Sequence, residues 1–250
     1  MSKYSGVVIA KNNESTIGLC VKSLLELTDD VIVVLDDAST DKTESIALDL
    51  GAKVFKKKWE GYSANKNFGV DKAGNDWILC PDADEVLDNV LIKNLKTLKL
   101  QVDHVYELNI LTFFGKIPVK HCGWFPDWNI RLFNRNVMKW NNNFVHEQLI
   151  SDKKLTKTKV NGLVLHYSFQ NEGHMKAKFE EYAQLRANEW IKSGKSPSII
   201  KQWFGPAFRF IRTYILKLGI LDGATGFIIA KNEYILKKNE IKYWRQMIRK

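Results

Sequence analysis

The sequence predicts an α/β fold with a mainly parallel sheet and helices on both of its faces. Three observations predict it. Short, continuous apolar runs recur through the first eighty residues, segments with helical apolar spacing separate them, and turn or helix-stop residues punctuate the joins. GVVIA, residues 6–10, reads as the first strand. Residues 13–27 follow with Ile17, Cys20, Val21, Leu24 and Leu25 at i, i+3, i+4, i+7 and i+8, the single apolar stripe of a helix. VIVVL, residues 31–35, is uninterrupted and β-branched, as a strand buried on both faces requires. Asp41 with Glu44 has the spacing of a capping box, and the helix it opens stops at Gly51. Residues 53–55 make a short strand, 63–72 a helix, Gly74, Asn75 and Asp76 a turn, and 77–80 a fourth strand. Strands alternating with helices in this way pair in parallel.

Beyond residue 100 the pattern changes. HVYELNILTFFG reads as a strand, KWNNNFVHEQLI and LVLHYSF as further short strands, and 172–193 as helix. The chain is expected to divide into residues 1–170, with halves 1–100 and 101–170, and a helical, basic extension over 171–250.

The 250 residues are 45% hydrophobic and 12% aromatic, enough for a proper core. Three scattered cysteines offer neither a disulfide framework nor metal-ligand spacing, which fits a reducing, cytoplasmic compartment. The apolar run at the N-terminus is too short for a signal peptide. No stretch approaches the ~20 uncharged apolar residues of a membrane span. The net charge of +10 is concentrated in the last fifty residues, which carry 11 Lys+Arg against 3 Asp+Glu; the first 200 carry 27 against 25. Such a tail suits an anionic membrane surface, a nucleic acid or a solvated face. Its aromatic and aliphatic content exceeds what a phosphate-binding arm needs, so nucleic acid is the weaker reading.

The acids are placed more pointedly. ILCPDADEVL, residues 78–87, ends an apolar run in Asp82, Asp84 and Glu85, and Asp36 and Asp37 follow the second strand. In open α/β sheets, ligands bind beyond the carboxyl ends of the strands. Crowded carboxylates need a cation or hydrogen-bond donors to offset their repulsion, and no basic residue adjoins them in sequence. Oxygen-only ligands suit a hard cation such as Mg²⁺ or Mn²⁺, which commonly also holds a phosphate. The plainer alternative is a solvated acidic turn. Two acidic clusters at corresponding strand ends favour the ligand site.

These segments together resemble family 2 glycosyltransferases of the GT-A fold: VVIAKNNESTI, VIVVLDDASTDKT, NKNFGVDKAGNDWIL and PDADE as the DxD-type motif, in that order. FFGK, GWFPDWNIRLF, KW, VHE, LHYSF and LGILDGATGF are similar to the narrower branch of lipopolysaccharide core glucosyltransferases. The family often has glycine where this chain has Ala38. The resemblance implies an inverting, metal-dependent transfer of a hexose, most simply glucose, from a UDP-sugar to a lipopolysaccharide core or related glycan or glycolipid. The work would be done at the inner face of the bacterial cytoplasmic membrane. The rivals are another donor, a capsule or protein acceptor, and a non-catalytic nucleotide-binding module.

The residue roles follow from the resemblance. Asp36 or Asp37 would accept hydrogen bonds from uracil, and Glu14 would help hold the nucleoside, unless it serves only as a helix-start acid. Lys66 would neutralise the diphosphate, with a solvated helix lysine as the alternative. Asp82 would contact the ribose or a metal-bound water, and Asp84 would coordinate Mn²⁺ or Mg²⁺. His166 would complete the metal shell, or be a half-buried histidine and no more. Glu147 is the first candidate for the base and Asp127 the second; an Asp127–Arg131 ion pair is the alternative for the latter. Trp124, Trp128, Arg131 and His146 would bind the acceptor, with Phe125 a further stacking candidate and at least one of Trp124, Phe125 and Trp128 ordinary core.

Overall fold

The computed structural model describes residues 3–141, 148–194 and 196–248. They form two compact units, one of Met1–Ile110 with Asp127–His166 and one of Leu111–Pro126 with Tyr167–Lys250.

In the first unit, strands β1 (Tyr4–Ala10), β2 (Val31–Asp36), β3 (Lys53–Lys57) and β4 (Trp77–Leu79) lie in the order β3-β2-β1-β4 and pair in parallel. Alternation along these strands sorts their side chains onto two faces. Val8, Val31, Val33 and Leu35 pack with Ile17, Val21 and Leu24 of helix α1 (Ile17–Leu25). Val7, Ile9, Ile32 and Val34 pack with Val70 of helix α3 (Tyr62–Lys72). Helices therefore cover both faces, as the continuous apolar strands predict.

Helix α2 (Thr43–Asp49) departs from the expected capping box. Its N-cap is Lys42, and Asp41 instead accepts from the backbone N–H and hydroxyl of Thr43. Gly51, at φ 88°, ends it as expected.

The sheet continues through β8 (Asp127–Asn134), β6 (His104–Phe114), β11 (Thr156–Phe169) and β5 (Glu85–Leu87), so its second half is antiparallel where the pairing registers are defined. β7 (Ile117–Pro118) extends β6, and β9 (Lys139–Trp140) pairs with β10 (Leu149–Ile150) as a separate ribbon. Helix α4 (Asn89–Thr97), unforeseen from the sequence, buries Leu91, Ile92 and Leu95; the Asp88 carboxylate caps it by accepting from the Leu91 N–H at 2.7 Å.

Close approach of α3 to the sheet depends on Gly69. A Cβ there would meet Val7 Cγ1 at 2.5 Å and Val34 Cγ2 at 2.9 Å. Gly69→Ala is expected to destabilise the protein by about 1–3 kcal/mol, the usual consequence of overpacking a filled core. Urea unfolding checks this, and a variant as stable as the wild type would mean that α3 shifts freely.

The second unit is mainly helical, with α5 (Glu172–Lys192), α6 (Ile199–Ile211), a π turn (Arg212–Leu216), a 3₁₀ turn (Gly219–Asp222) and α7 (Gly223–Met247). Met175, Phe179 and Ala183 of α5 pack against Ile229 and Leu236 of α7. Residues 225, 226, 229 and 230 are buried, but 199–221 leave most of their large apolar side chains exposed. Of the apolar stretch 206–230, the last part is therefore the one that packs inward.

Candidate functional site

The site grows from the carboxyl end of β4. A tight turn closes there: the Glu85 N–H donates to the Asp82 carbonyl at 3.0 Å, and the Asp82 N–H donates to Glu85 Oε2 at 3.0 Å. β8 runs alongside, and the Cys80 N–H donates to the Arg131 carbonyl at 2.8 Å. That ladder bond fixes the Arg131 backbone beside the turn. Arg131 Nη2 then lies 2.8 Å from Asp82 Oδ2 and 2.5 Å from Glu85 Oε1. From the other side, α3 brings Lys66 Nζ to 3.3 Å from Asp82 Oδ1 and 4.4 Å from the Trp140 ring centroid.

Lys66 and Glu85 are nearly removed from solvent and the Arg131 side chain is 12% exposed; with Asp82, 37% exposed, they form a charge-balanced cluster, two cations against two anions. The donors that the crowded acids require come from residues distant in sequence. Arg131, 46 and 49 residues away along the chain, supplies the guanidinium that neighbouring positions do not.

Electrostatics follow from this arrangement. Burial opposes ionisation of Asp82, but Arg131 and Lys66 outweigh it and hold the carboxyl well below its usual range. Burial pushes Glu85 up, and the Asp82 charge adds to that, against Arg131. Arg131 Nε is buried with no hydrogen-bond partner among the described residues, as is Trp140 Nε1.

Asp84 points elsewhere. β11 pairs with β5 so that His166 lies opposite Glu85, and His166 Nε2 comes to 3.4 Å from Asp84 Oδ2. Burial depresses the imidazole, but the hydrogen bond and charge of Asp84, with the charges of Glu85 and Asp82, raise its pKa overall. Among the described residues, no three His, Cys, Asp or Glu side chains converge as a complete metal shell. The Asp84 carboxylate is the ligand type of Mn²⁺ or Mg²⁺, with phosphate oxygens and water to fill further positions, and the imidazole is a softer nitrogen donor beside it. Asp82, held by two cations, is less suited to that role than Asp84.

The residues expected from the sequence to meet a nucleotide lie at the end of β2 and on the loops after β1 and β2. Asp36 is buried, pairs with Lys11 Nζ at 2.8 Å and accepts from the Ala38 N–H at 3.0 Å. Burial opposes its ionisation and Lys11 more than offsets that, so its pKa is lowered. Asp37 is exposed. Glu14 binds across to the second loop, accepting from the Lys42 N–H at 3.1 Å while its own N–H donates to Asp41 Oδ2 at 2.9 Å. Asn12, at φ 51°, adds a bond from the Thr40 N–H to its Oδ1 at 2.8 Å. The two loops therefore brace one another.

A cavity of about 400 Å³ lies in the same unit, lined by Lys66, Glu107, Trp128, Arg131, Trp140 and Lys157 among others. Trp128 is half-buried there, with Lys159 Nζ 4.6 Å from its ring centroid. Trp124 belongs to the second unit and packs on Phe169, so of the two tryptophans it is the core residue. Asp127 is exposed, and Arg131 pairs with Asp82 and Glu85 rather than with it. Glu147 and His146 lie outside the described residues. Sequence reasoning missed Lys11, Glu107, Lys157 and the partner role of Glu85. Only Glu85 left a signal, through its place in PDADE.

The profile of Glycosyl transferase family 2 matches residues 5–169. A protein of Rickettsia bellii described as a glycosyltransferase is 32% identical over 238 residues, 86% of this chain and 78% of its own. The lipopolysaccharide core biosynthesis glycosyltransferase LpsC of Rhizobium meliloti is 27% identical over 237 residues, 90% of this chain and 86% of its own. Among solved structures, glucosyl-3-phosphoglycerate synthase of Mycobacterium tuberculosis, crystallised with Mn²⁺, UDP and phosphoglyceric acid, is similar at 22% identity and a TM-score of 0.35. That similarity covers 45% of this chain and less than half, 43%, of the synthase.

Proposed function

The chain belongs to glycosyltransferase family 2, and from that premise we propose that it transfers a hexose, glucose in the simplest case, from a UDP-sugar to a lipopolysaccharide core or related lipid-linked glycan, with inversion and with a divalent cation. The observation that carries the donor half is the four-charge cluster at the end of β4 with the Asp84–His166 pair beside it. The similarity to LpsC supports the acceptor class.

In this reading Asp37, with Asp36 fixed by Lys11, accepts hydrogen bonds from the base, and Glu14 borders the nucleoside. Lys66 and Arg131 hold Asp82 ionised and oriented toward the ribose, and their positive charge favours the diphosphate. Asp84 and His166 would hold Mn²⁺ or Mg²⁺, whose positive charge would favour a departing diphosphate. Trp128 offers a ring face to an acceptor sugar in the cavity it lines. The base that takes the acceptor proton is Glu147, with the exposed Asp127 the other carboxylate candidate. The acceptor's lipid places the enzyme peripherally at the cytoplasmic face of the bacterial inner membrane.

A donor screen tests the reading. With Mn²⁺ present and no acceptor, slow release of nucleotide is expected from UDP-hexoses and not from GDP- or dTDP-sugars. Preferred hydrolysis of a GDP- or dTDP-sugar would overturn the donor assignment.

A further inference from the structure

The second unit carries a surface that sugar transfer does not explain. On α6, Ile199, Ile200, Trp203, Phe204, Phe208 and Ile211 face outward; Trp203 is 73% exposed and Phe204 69%. Spacings of one, three and four residues put them on one continuous helix face. Ile215, Leu216, Leu218, Ile220 and Leu221 extend the exposed apolar surface through the two turns that follow. Residues 199–221 contain no Asp or Glu. The opposite side of the segment is anchored within the unit by buried Pro206 and Thr213 and by the Arg209–Glu233 ion pair.

Charge complements this apolar face. The three acids of residues 199–248 are all engaged internally: Asp222 with His121, Glu233 with Arg209 and Glu240 with Lys237. Lys201, Arg212, Lys217, Lys238, Lys242 and Arg245 have no carboxylate partner among the described residues. A groove of about 610 Å³ runs beside the face, lined by Trp203, Tyr234, Lys238, Lys242 and Arg245 among others. Aromatic and aliphatic side chains beside unpaired cations are the chemistry of an anionic bilayer interface.

We propose that residues 199–221 insert into the surface of an anionic phospholipid membrane, lying in its plane, while the Lys238–Lys242–Arg245 groove takes lipid phosphates. An in-plane arrangement fits because Lys201, Arg209 and Arg212 interrupt the segment. No single described helix is long and apolar enough to cross a membrane; only Ile199–Leu216 and Gly219–Met247 taken together, bent by 71° at their join, have the length and composition of a broken span. The biological purpose of the surface rests on the lipid-linked acceptor proposed above; its existence rests on the exposed residues.

The test uses the full chain and vesicles of phosphatidylcholine with or without phosphatidylglycerol. Wild type is expected to partition at least about tenfold more tightly onto the anionic vesicles and to lose that preference at high salt. Trp203→Ser/Phe204→Ser/Phe208→Ser should weaken binding by at least about tenfold, because the buried apolar area sets the strength of interfacial insertion. Its far-UV circular dichroism and Tm should not change, since all three side chains are exposed. Brominated acyl chains should quench tryptophan emission in wild type and less in Trp203→Phe. No partition onto anionic vesicles, or unchanged partition of the triple variant, overturns the proposal. So does a wild-type dimer that the triple variant disperses, which would assign the face to a second copy. UDP binding is measured on the same preparations: its loss with vesicle binding intact counts against the transferase reading alone, and the reverse counts against the membrane face alone.

Discussion

Arg131→Met is expected to destabilise the first unit by about 3–5 kcal/mol, the usual consequence of removing one partner from a buried ion pair. The guanidinium is the only arginine bound to the Asp82–Glu85 turn among the described residues, and Glu85 is fully buried behind it. Without Arg131, Glu85 must stay charged in a dry site or take up a proton. Burial already raises its pKa, so in the variant the folded-state value rises further above the unfolded one. A raised acid destabilises at pH above its unfolded value, and the penalty disappears as pH falls below it. The gap between variant and wild type should therefore narrow between neutral pH and about pH 4, near the unfolded glutamate pKa. Arg131→Met/Glu85→Leu should recover most of the loss, because an apolar pair of similar volume replaces the ions. Urea unfolding of the three proteins checks this. A single variant within about 1 kcal/mol of wild type, the range of an exposed pair, would show that the cluster is solvated.

Asp84→Ala is expected to leave the fold intact and to lower transfer by at least about 10²-fold, the scale on which a missing charge-stabilising group lowers kcat. Asp84 lies outside the four-charge cluster and its side chain is 20% exposed, and the His166 imidazole that it faces can lose its proton once the carboxylate is gone. Asp82→Ala should behave differently, losing stability as well as activity, because Lys66 and Arg131 each lose a carboxylate partner. Steady-state rates with Mn²⁺, read beside thermal unfolding, separate the two variants. An Asp84→Ala enzyme with near-normal turnover would remove this residue from the chemistry.

What the sequence revealed, and what it hid, follows from the range over which each interaction acts. β1 and β2 were legible because burial on both faces writes itself as continuous apolar runs, and helix α1 between them carries a local stripe. The acidic turn was legible as unusual, but its partners were not. Arg131 reaches Asp82 only because β8 lies antiparallel to β4, a pairing that no local pattern announces. Helix α4 did leave a signal in Asp88 and the apolar spacing of Leu91, Ile92 and Leu95, and it was overlooked beside the more conspicuous acids. Trp124 and Trp128 lie four positions apart with the same side chain, yet one packs in the second unit and the other lines the cavity in the first. The exposure of α6 was hidden for a similar reason, since its apolar content reads equally well as a packed cap or a membrane face.

The proposed transfer requires the carboxyl end of β4 to be a nucleoside-diphosphate site that works with a divalent cation. Titration calorimetry of UDP into the full chain, with Mn²⁺ and again with EDTA, tests this most directly. Wild type should bind UDP at least about tenfold more tightly with Mn²⁺, equivalent to roughly 1.4 kcal/mol. Asp84→Ala should bind with the same weaker affinity in both conditions. Equal UDP affinity with Mn²⁺ and EDTA in wild type, or an Asp84→Ala variant that keeps the full Mn²⁺ effect, would contradict it.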